Sequence, residues 1–519
     1  ANELRVGELL DQHLPGVPYT LSHRLNPTLR EYRRASSCCI DASLKPLMSG
    51  YLVSLERRLA AAGFTGRVMM VTSNGGVLDA ADVAGAPIHL INSGPAMAPV
   101  AGRFYAARAG GHGAAIVADA GGTTFDVTLV RDGRIPRTRE TWIGRVHQGH
   151  ITGFPSVDVT SVGSGGGSIA WVDEGGLLKV GPRSAGAQPG PACYGRGGVE
   201  PTLTDACAVL GYLDPERFLG GSMRLDLEAA RDAIERGVAE PLGMRADEAA
   251  AGILRVTTED MVHAIEQITV NQGIDPRETV LIGGGGAAGL NLVAIARRLG
   301  CAEVLIPETG AALSAAGALI SDLSYEQART YPTSTESFDF AGVGGVLAEL
   351  TERCEDFATK TAPEAPRELT YSMEARYPRQ NWEIEVAIER SWAEAGSVEA
   401  LADAFHKAHE QLFAIAEPGS AIEILTWRVQ VRARTRGIAT HRVVAQAPLG
   451  GPARHRRVYH PDAGWVDSAL ADFDVLLDEA VLEGPAIIHS SFTTVVLDAG
   501  ARGRRLADRT LHIDLSGAS

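Results

Sequence analysis

The sequence lacks any run of about 18 consecutive apolar residues, so no membrane-spanning helix is expected. It also lacks a basic excess. Lys and Arg number 48 against 63 Asp and Glu, a net charge of −15, which argues against nucleic-acid binding through a broadly basic surface. Cysteine is scarce, with six residues of which only Cys38 and Cys39 lie close together, so a disulfide scaffold is excluded and reduced thiols are expected. The opening residues, Ala1-Asn2-Glu3-Leu4-Arg5, carry no basic–apolar–small export pattern, and a cytoplasmic location is the matching expectation. No sustained repeat, heptad run or low-complexity tract exists, which removes solenoids and coiled coils.

What is present reads as globular. Hydrophobic residues make up 45% and charged residues 21%, and 519 residues suggest about three domains. Glycine, at 59 residues, has roughly twice its usual share. Without a collagen period, that excess belongs in turns where backbone approaches ligand or other backbone.

Texture divides the chain at about residues 100 and 330. Residues 1–100 begin polar. Leu47, Tyr51, Leu52, Leu55 and Leu59 then predict a helix from Pro46 to Ala62 whose apolar side buries against sheet. Arg67 to Val71 reads as a buried strand ending in the turn Ser73-Asn74-Gly75-Gly76. Residues 101–330 alternate short apolar strands with helices such as Ala249 to Asn271 and Leu290 to Leu299, an α/β pattern. Residues 331–519 begin with a polar connection and a helix, Val343 to Thr361. They continue as alternating strands (Leu369 to Met373, Trp382 to Ile388, Ile424 to Val431, Ala486 to Ile488) around a helix, Val398 to Phe413, which predicts a separate α+β, strand-rich domain.

The chemistry concentrates in Ala114 to Gly133. A buried strand runs into Asp119-Ala120-Gly121-Gly122-Thr123-Thr124, and an alternating strand leaves towards Asp132-Gly133. Glycines in such a tight loop let backbone N–H groups converge on an anion. Thr123 and Thr124 add hydroxyl donors, and Asp119 is placed to hold a hydrated divalent cation or to orient a water. The bland alternative is a plain glycine-rich hairpin. A second element is Glu278 to Gly286, a strand ending in Gly283, Gly284, Gly285 and Gly286 directly before a helix.

The first segment resembles the second phosphate loop of the actin, sugar-kinase and heat-shock-chaperone ATPase superfamily. There, a strand–Gly–Gly–helix such as Gly283 to Gly286 packs against adenosine. Further stretches narrow the resemblance to the hydantoinase A/5-oxoprolinase family, which includes the ATP-using subunits of acetone and acetophenone carboxylases. These stretches are Arg30-Glu31-Tyr32-Arg33-Arg34, Ser73-Asn74-Gly75-Gly76, Ser93-Gly94-Pro95-Ala96 and the long run Val162 to Asp173. Gly190 to Gly198, Glu200-Pro201-Thr202, Thr204-Asp205-Ala206, Ser314-Ala315-Ala316-Gly317, Gly484 to Ile488 and Ser491 to Thr494 complete the set. The likeness spans about residues 3 to 515.

The resemblance implies an actin-like ATPase fold: an incomplete first lobe in 1–100, a second lobe in 101–330, and an α+β domain in 331–519. It implies ATP with Mg2+ or Mn2+, Asp119 and Thr123 in catalysis, Asp119 as metal ligand, and Gly121, Gly122, Thr123, Thr124 and Gly283 to Gly286 on the nucleotide. The implied function is that of a subunit activating a cyclic amide, a hydantoin or 5-oxoproline-like lactam, by phosphoryl transfer before ring opening. A ketone carboxylase subunit and a degenerate ATPase-fold scaffold are the alternatives. A B-type subunit is the implied partner.

Two departures qualify this picture. Family members carry another Asp-x-Gly-Gly-Thr loop in a preceding first lobe. This sequence holds one, so either a separate chain supplies the other half of the clamp or the sequence is a fragment. The family's histidine before the central glycine run is replaced around Thr160-Ser161, and the one after the adenosine-side glycines at about Ala288-Gly289. Other candidates read more blandly. Cys193 has no His beside it and reads as a buried thiol before a nucleophile. His147 and His150 lack a clustered further ligand. His406 and His409 share a helix face, as a solvated or core-edge pair. Lys179, Arg183 and Arg196 read as solvated.

Overall fold

The computed structural model describes residues 2–27, 30–110, 113–144, 146–394, 396–434, 454–461, 463–476 and 480–517. The chain forms two compact units that share no single stretch. One holds Ala1–Ser93, Arg137–Ser156 and Ile320–Ile438; the other holds Gly94–Pro136, Val157–Leu319 and Ala439–Ser519. The units cut across the divisions at residues 100 and 330, because strand partners far apart in sequence leave no trace in local periodicity.

The second unit is built on an eight-stranded sheet. Its order is Val481–Glu483, Arg502–Arg505, Leu511–Asp514, Glu303–Ile306, Thr279–Gly284, Ala114–Ala120, Phe125–Arg131, Thr160–Val162. The three central strands are parallel, as buried α/β strands are, and the last three are antiparallel. Alternation decides the faces. Ile116, Ala118 and Ala120, with Phe125, Val127 and Leu129 across the hairpin, join a core with Met261, Ile265 and Ile268 of helix Ala246–Gln272 and with helix Leu292–Leu299. Each of the larger side chains among these, Ile, Leu, Val, Phe and Met, contributes about 1.5–3 kcal/mol on burial. Val117 points the other way, against helix Ala98–Ala109, where Gly102 leaves room for its methyl group. Asp119 lies on that same face.

In the first unit, strands Leu323–Ser334, Glu423–Ala433, Arg367–Arg376 and Ile384–Ile388 form an antiparallel sheet in that order. One face packs Val429, Val431, Met373 and Val386 on helices Phe340–Thr361 and Val398–Phe413. The other face is ionic: Arg428 pairs with Glu326 and Glu374, and Arg137 donates to Glu326 at 2.8 Å. The helix expected from Pro46 runs instead from Glu31 to Ala61 with Pro46 inside it. Of its apolar stripe only Leu52 is buried; Leu47 and Tyr51 are exposed, at 71% and 52%. The strand expected over Arg67 to Val71 is confined to Met69–Val71 and half-buried. All six cysteines are unbridged. Among the described residues, no helix is long and apolar enough to cross a membrane.

Candidate functional site

The hairpin Ala114–Ala120/Phe125–Arg131 closes through the Gly121 amide, which donates to Thr124 O at 2.9 Å. A second glycine run rests on this turn: the amides of Gly166 and Gly167 donate to Gly121 O (3.0 Å) and Gly122 O (2.6 Å). A Cβ at Gly165 would stand 2.7 Å from both Gly121 O and Thr123 N, backbone atoms that cannot step aside. Gly122 is different. Its φ lies outside the left-handed region, and among the described residues no atom beyond its chain neighbours comes within 4 Å of where its Cβ would be. Neither packing nor backbone conformation requires glycine there; its bareness keeps open a space that a Cβ would fill. Among the described residues, no protein acceptor meets the amides of Gly122 and Thr123.

That space opens onto a cleft of about 210 Å³. Gly121, Gly122, Gly166, Gly167 and Gly286 line one side, Tyr194, Leu213, Phe218 and Leu290 the other, and His489 to Thr494 the lip. A polar, glycine-floored end beside an apolar end suits a molecule with an anionic tail and a flat apolar head. Gly283 and Gly284 do not reach the cleft. They are buried in their strand, and a Cβ on either would meet Leu292 Cδ2 at 2.3 Å or Leu313 Cδ2 at 2.6 Å. Gly285, at φ +81°, lets the chain pass over Ala120, whose carbonyl a Cβ would approach to 2.1 Å. Asp119, Thr123 and Thr124 lie beside the lining rather than in it.

Asp119 ends its strand next to Gly285 and accepts a hydrogen bond from Ser314 Oγ at 3.0 Å. Directly opposite in the ladder stands Asp126, on the same face, with Cβ atoms about 5 Å apart by ladder geometry. Burial pushes the carboxyl of Asp119 up from its ordinary range; the Ser314 hydroxyl opposes this, and Asp126 adds to it. Burial also raises Asp126, against hydrogen bonds from Ser161 and Thr124. Two partly desolvated carboxylates side by side favour a cation between them. Asp126 was missed in the sequence, although a Gly121-to-Thr124 turn pairs Ala120 with Phe125 and therefore Asp119 with Asp126. Among the described residues, no group of three or more His, Cys, Asp and Glu converges. A cation here would take its remaining ligands from water or phosphate, as Mg2+ does.

The family-like motifs have structural work around this floor. Ser314 holds Asp119, and Gly317 admits Met97 O, which a Cβ would approach to 2.0 Å. Thr204 Oγ1 donates to Gly166 O at 2.7 Å. Asp205, fully buried, accepts from the amides of Ala192, Cys193 and Thr202 and from the Thr202 hydroxyl. Asp205→Ala would leave those buried donors unpaired, and a stability loss of about 4 kcal/mol is expected, read from the urea midpoint. Ser161 stands where a histidine was expected, hydrogen-bonded to Asp126. At Gly289 a Cβ would lie 2.4 Å from Thr494 O, so no larger residue fits.

The remaining candidates stay apart from the cleft. Cys193 is buried, and burial raises its thiol far above reactivity. His147 packs edge-on against Trp142. His406 meets Tyr377 Oη at 2.6 Å, and His409 is buried between Gln380 and Ile415 O, deeper than a solvated pair would be. Arg183 pairs with Glu200 at the surface.

His489, on the lip, is held neutral. Burial lowers its pKa from 6.5 to about 4, helped by Arg456, which lies 3.2 Å from Nε2. The unfolded state therefore binds a proton first as pH falls. This group's stabilisation is present above pH 6.5 and is lost between about 6.5 and 4, by about 3 kcal/mol. His489→Gln should flatten that part of the stability–pH curve measured by urea denaturation.

The comparison with known proteins follows the same residues. The hydantoinase/oxoprolinase family pattern matches residues 34–327, and the hydantoinase/oxoprolinase C-terminal domain matches 341–514. The chain belongs to the hydantoinase/oxoprolinase family. Caprolactamase subunit alpha of Pseudomonas jessenii is 35% identical over 509 residues, covering 97% of this chain and 72% of that one. The acetophenone carboxylase gamma subunit of Aromatoleum aromaticum is 30% identical over 518 residues, covering 96% and 70%. The crystal structure of the ATP-dependent caprolactamase from Pseudomonas jessenii superposes with a TM-score of 0.82 at 33% identity, covering 99% of this chain and 74% of that one. This hydantoinase/oxoprolinase chain thus shares the mixed α/β fold of an ATP-dependent enzyme, and its relatives are lactamases and carboxylases.

Proposed function

We propose that this chain is the ATP-using subunit of an enzyme that opens a cyclic amide, built on an actin-like ATPase fold. The observation that carries the reading is the open space at Gly122, in the turn that joins the paired residues Asp119 and Asp126, beside the Gly122 and Thr123 amides that no acceptor meets among the described residues. The Gly122 and Thr123 amides would meet the phosphates over the bare floor of Gly121, Gly166 and Gly167, with Gly286 on the ribose side and Tyr194 and Phe218 on the purine. The donor set fits a hard divalent cation: Asp119 and Asp126 would hold Mg2+ or Mn2+, which when bound neutralises phosphate charge. Thr123 supplies a hydroxyl beside the loop.

An amide has a poor leaving group and a weakly polarised carbonyl. Transfer of the γ-phosphoryl group to the imidate oxygen turns that oxygen into a leaving group and releases ADP. Water then adds to the imidate carbon, the C–N bond breaks with a proton going to nitrogen so that the ring opens as an acyl phosphate, and a second water displaces phosphate to leave the carboxylate. The chain's contribution is positioning and electrostatic stabilisation of the transferring group. We take the opposing phosphate loop to come from another stretch of polypeptide and a B-type subunit to complete the carbon chemistry. Relatives described as subunits support such an assembly.

The 30% identity to an acetophenone carboxylase subunit supports a second reading, in which the phosphoryl group goes to a ketone enolate before attack on a bicarbonate-derived electrophile. A scaffold without turnover is disfavoured by Asp119, Gly121, Gly122 and Thr123 all being in place. ADP release by the purified assembly separates the three. Caprolactam, hydantoin or 5-oxoproline should stimulate it; stimulation only by acetophenone with bicarbonate selects the carboxylase, and none selects the scaffold.

A further inference from the structure

The compact unit that does not contain the glycine-floored cleft has a cavity of its own, of about 660 Å³. Its walls come from seven separate stretches, among them His23 to Pro27, His89, Phe154–Pro155, Glu326 to Arg329 of the edge strand Leu323–Ser334, and Glu349 to Arg353 of helix Phe340–Thr361. Such a space is large for one water cluster and falls in the range that holds small organic ligands.

The charges around it do not cancel. Among the described residues its lining holds four arginines, Arg24, Arg329, Arg353 and Arg428, and two carboxylates, Glu326 and Glu349. Arg329 and Arg353 share the single carboxylate of Glu349, Arg353 at 2.7 Å. Arg24 is exposed at the mouth and, among the described residues, has no ion pair. Behind the wall Arg428 also meets Glu374 and Glu385, Arg139 pairs with Glu374 and Arg137 with Glu326, so the two further arginines and two further carboxylates there balance. The cavity therefore carries a surplus of about two positive charges in walls that also include Leu25, Phe154, Pro155 and Leu350. An inorganic anion has no use for the apolar part; an uncharged molecule leaves the guanidinium surplus unpaired. His89 adds a neutral hydrogen-bonding group. It stands edge-on to Phe154 at 4.9 Å, burial lowers its pKa, and among the described residues its ring nitrogens have no hydrogen-bond partner.

We propose that this cavity is a binding site for a small organic carboxylate, its carboxylate paired with Arg353 and Arg24 at the mouth and its body against Phe154, His89 and Leu350. Arginine suits the role because its planar fork meets a carboxylate with two parallel hydrogen bonds. The site is independent of the nucleotide reading.

Calorimetric titration of the intact protein with succinate, with inorganic phosphate as the second probe, tests it. Succinate should bind once per chain, with or without saturating ADP, and at least tenfold more tightly than phosphate. Arg24→Gln, at an exposed position, and Arg353→Gln should each weaken it at least tenfold. His89→Gln should weaken it less. No saturable succinate binding, affinity unchanged in both arginine variants, competition by ADP, or phosphate binding as tightly as succinate would each overturn the proposal.

Discussion

Asp119→Asn should lower substrate-stimulated ATP turnover by at least about 100-fold while leaving the protein folded. Removing one charge-stabilising group from a phosphoryl-transfer site costs on this scale. The side chain is partly desolvated, tied down by Ser314 at 3.0 Å and paired across the hairpin with Asp126. Its negative charge is unfavourable in the absence of a cation, because burial and Asp126 both raise its pKa. A carboxyl group raised in the folded state stabilises below its unfolded pKa, and that contribution is lost as pH rises through the folded value. Asn removes the penalty, so the variant should be at least as stable as the wild type at neutral pH without metal. Mg2+ should raise the melting temperature of the wild type and not that of Asp119→Asn. Asp126→Asn should behave in the same direction. Turnover that survives both substitutions would remove the carboxylate pair from the mechanism.

Two glycines only 43 positions apart should fail in opposite ways. Gly122→Ala places a methyl group where, among the described residues, no atom beyond its chain neighbours lies within 4 Å, so stability should change by no more than about 1 kcal/mol. Nucleotide affinity should fall at least about tenfold, because the methyl group occupies the space beside the exposed amides. Gly165→Ala places its methyl group 2.7 Å from Gly121 O and Thr123 N, two backbone atoms of the turn. Overpacking of this kind costs about 1–3 kcal/mol, and the turn itself must shift. Stability and binding should therefore fall together. Urea denaturation with nucleotide titration on each variant separates the two. A Gly122→Ala protein that binds as the wild type does would mean that the space has no ligand.

Local features were legible because their determinants are local. Helix Val398–Phe413 has the ends its apolar spacing marks, and helix Phe340–Thr361 starts three residues before the expected Val343 because Asp339 caps it through the Gly342 amide. The Pro46 helix was cut short because proline reads as a start, whereas this one sits inside 31 helical residues. The glycine hairpin was visible as strand–turn–strand, but the surroundings of each glycine were not. Gly283 and Gly284 look like Gly121 and Gly122 in sequence, and only their neighbours, Leu292 and Leu313, show that they serve packing. The cleft's far walls, Tyr194, Phe218 and the lip at His489 to Thr494, come from segments that no spacing rule connects. Nor does local pattern reveal that Leu511–Asp514 pairs with Glu303–Ile306, which draws the chain's last residues into the unit with the cleft.

Hydrogen–deuterium exchange of the intact assembly, with and without a magnesium complex of a non-hydrolysable ATP analogue, tests the central claim most directly. Backbone amides are the proposed phosphate ligands and also the observed reporters. The account predicts slowed exchange at Gly121 to Thr124 and at Gly163 to Gly167, together with Gly286 to Leu290, and loss of that protection in Gly122→Ala. Unchanged exchange in these three segments at saturating nucleotide, with protection elsewhere in the chain, would contradict it.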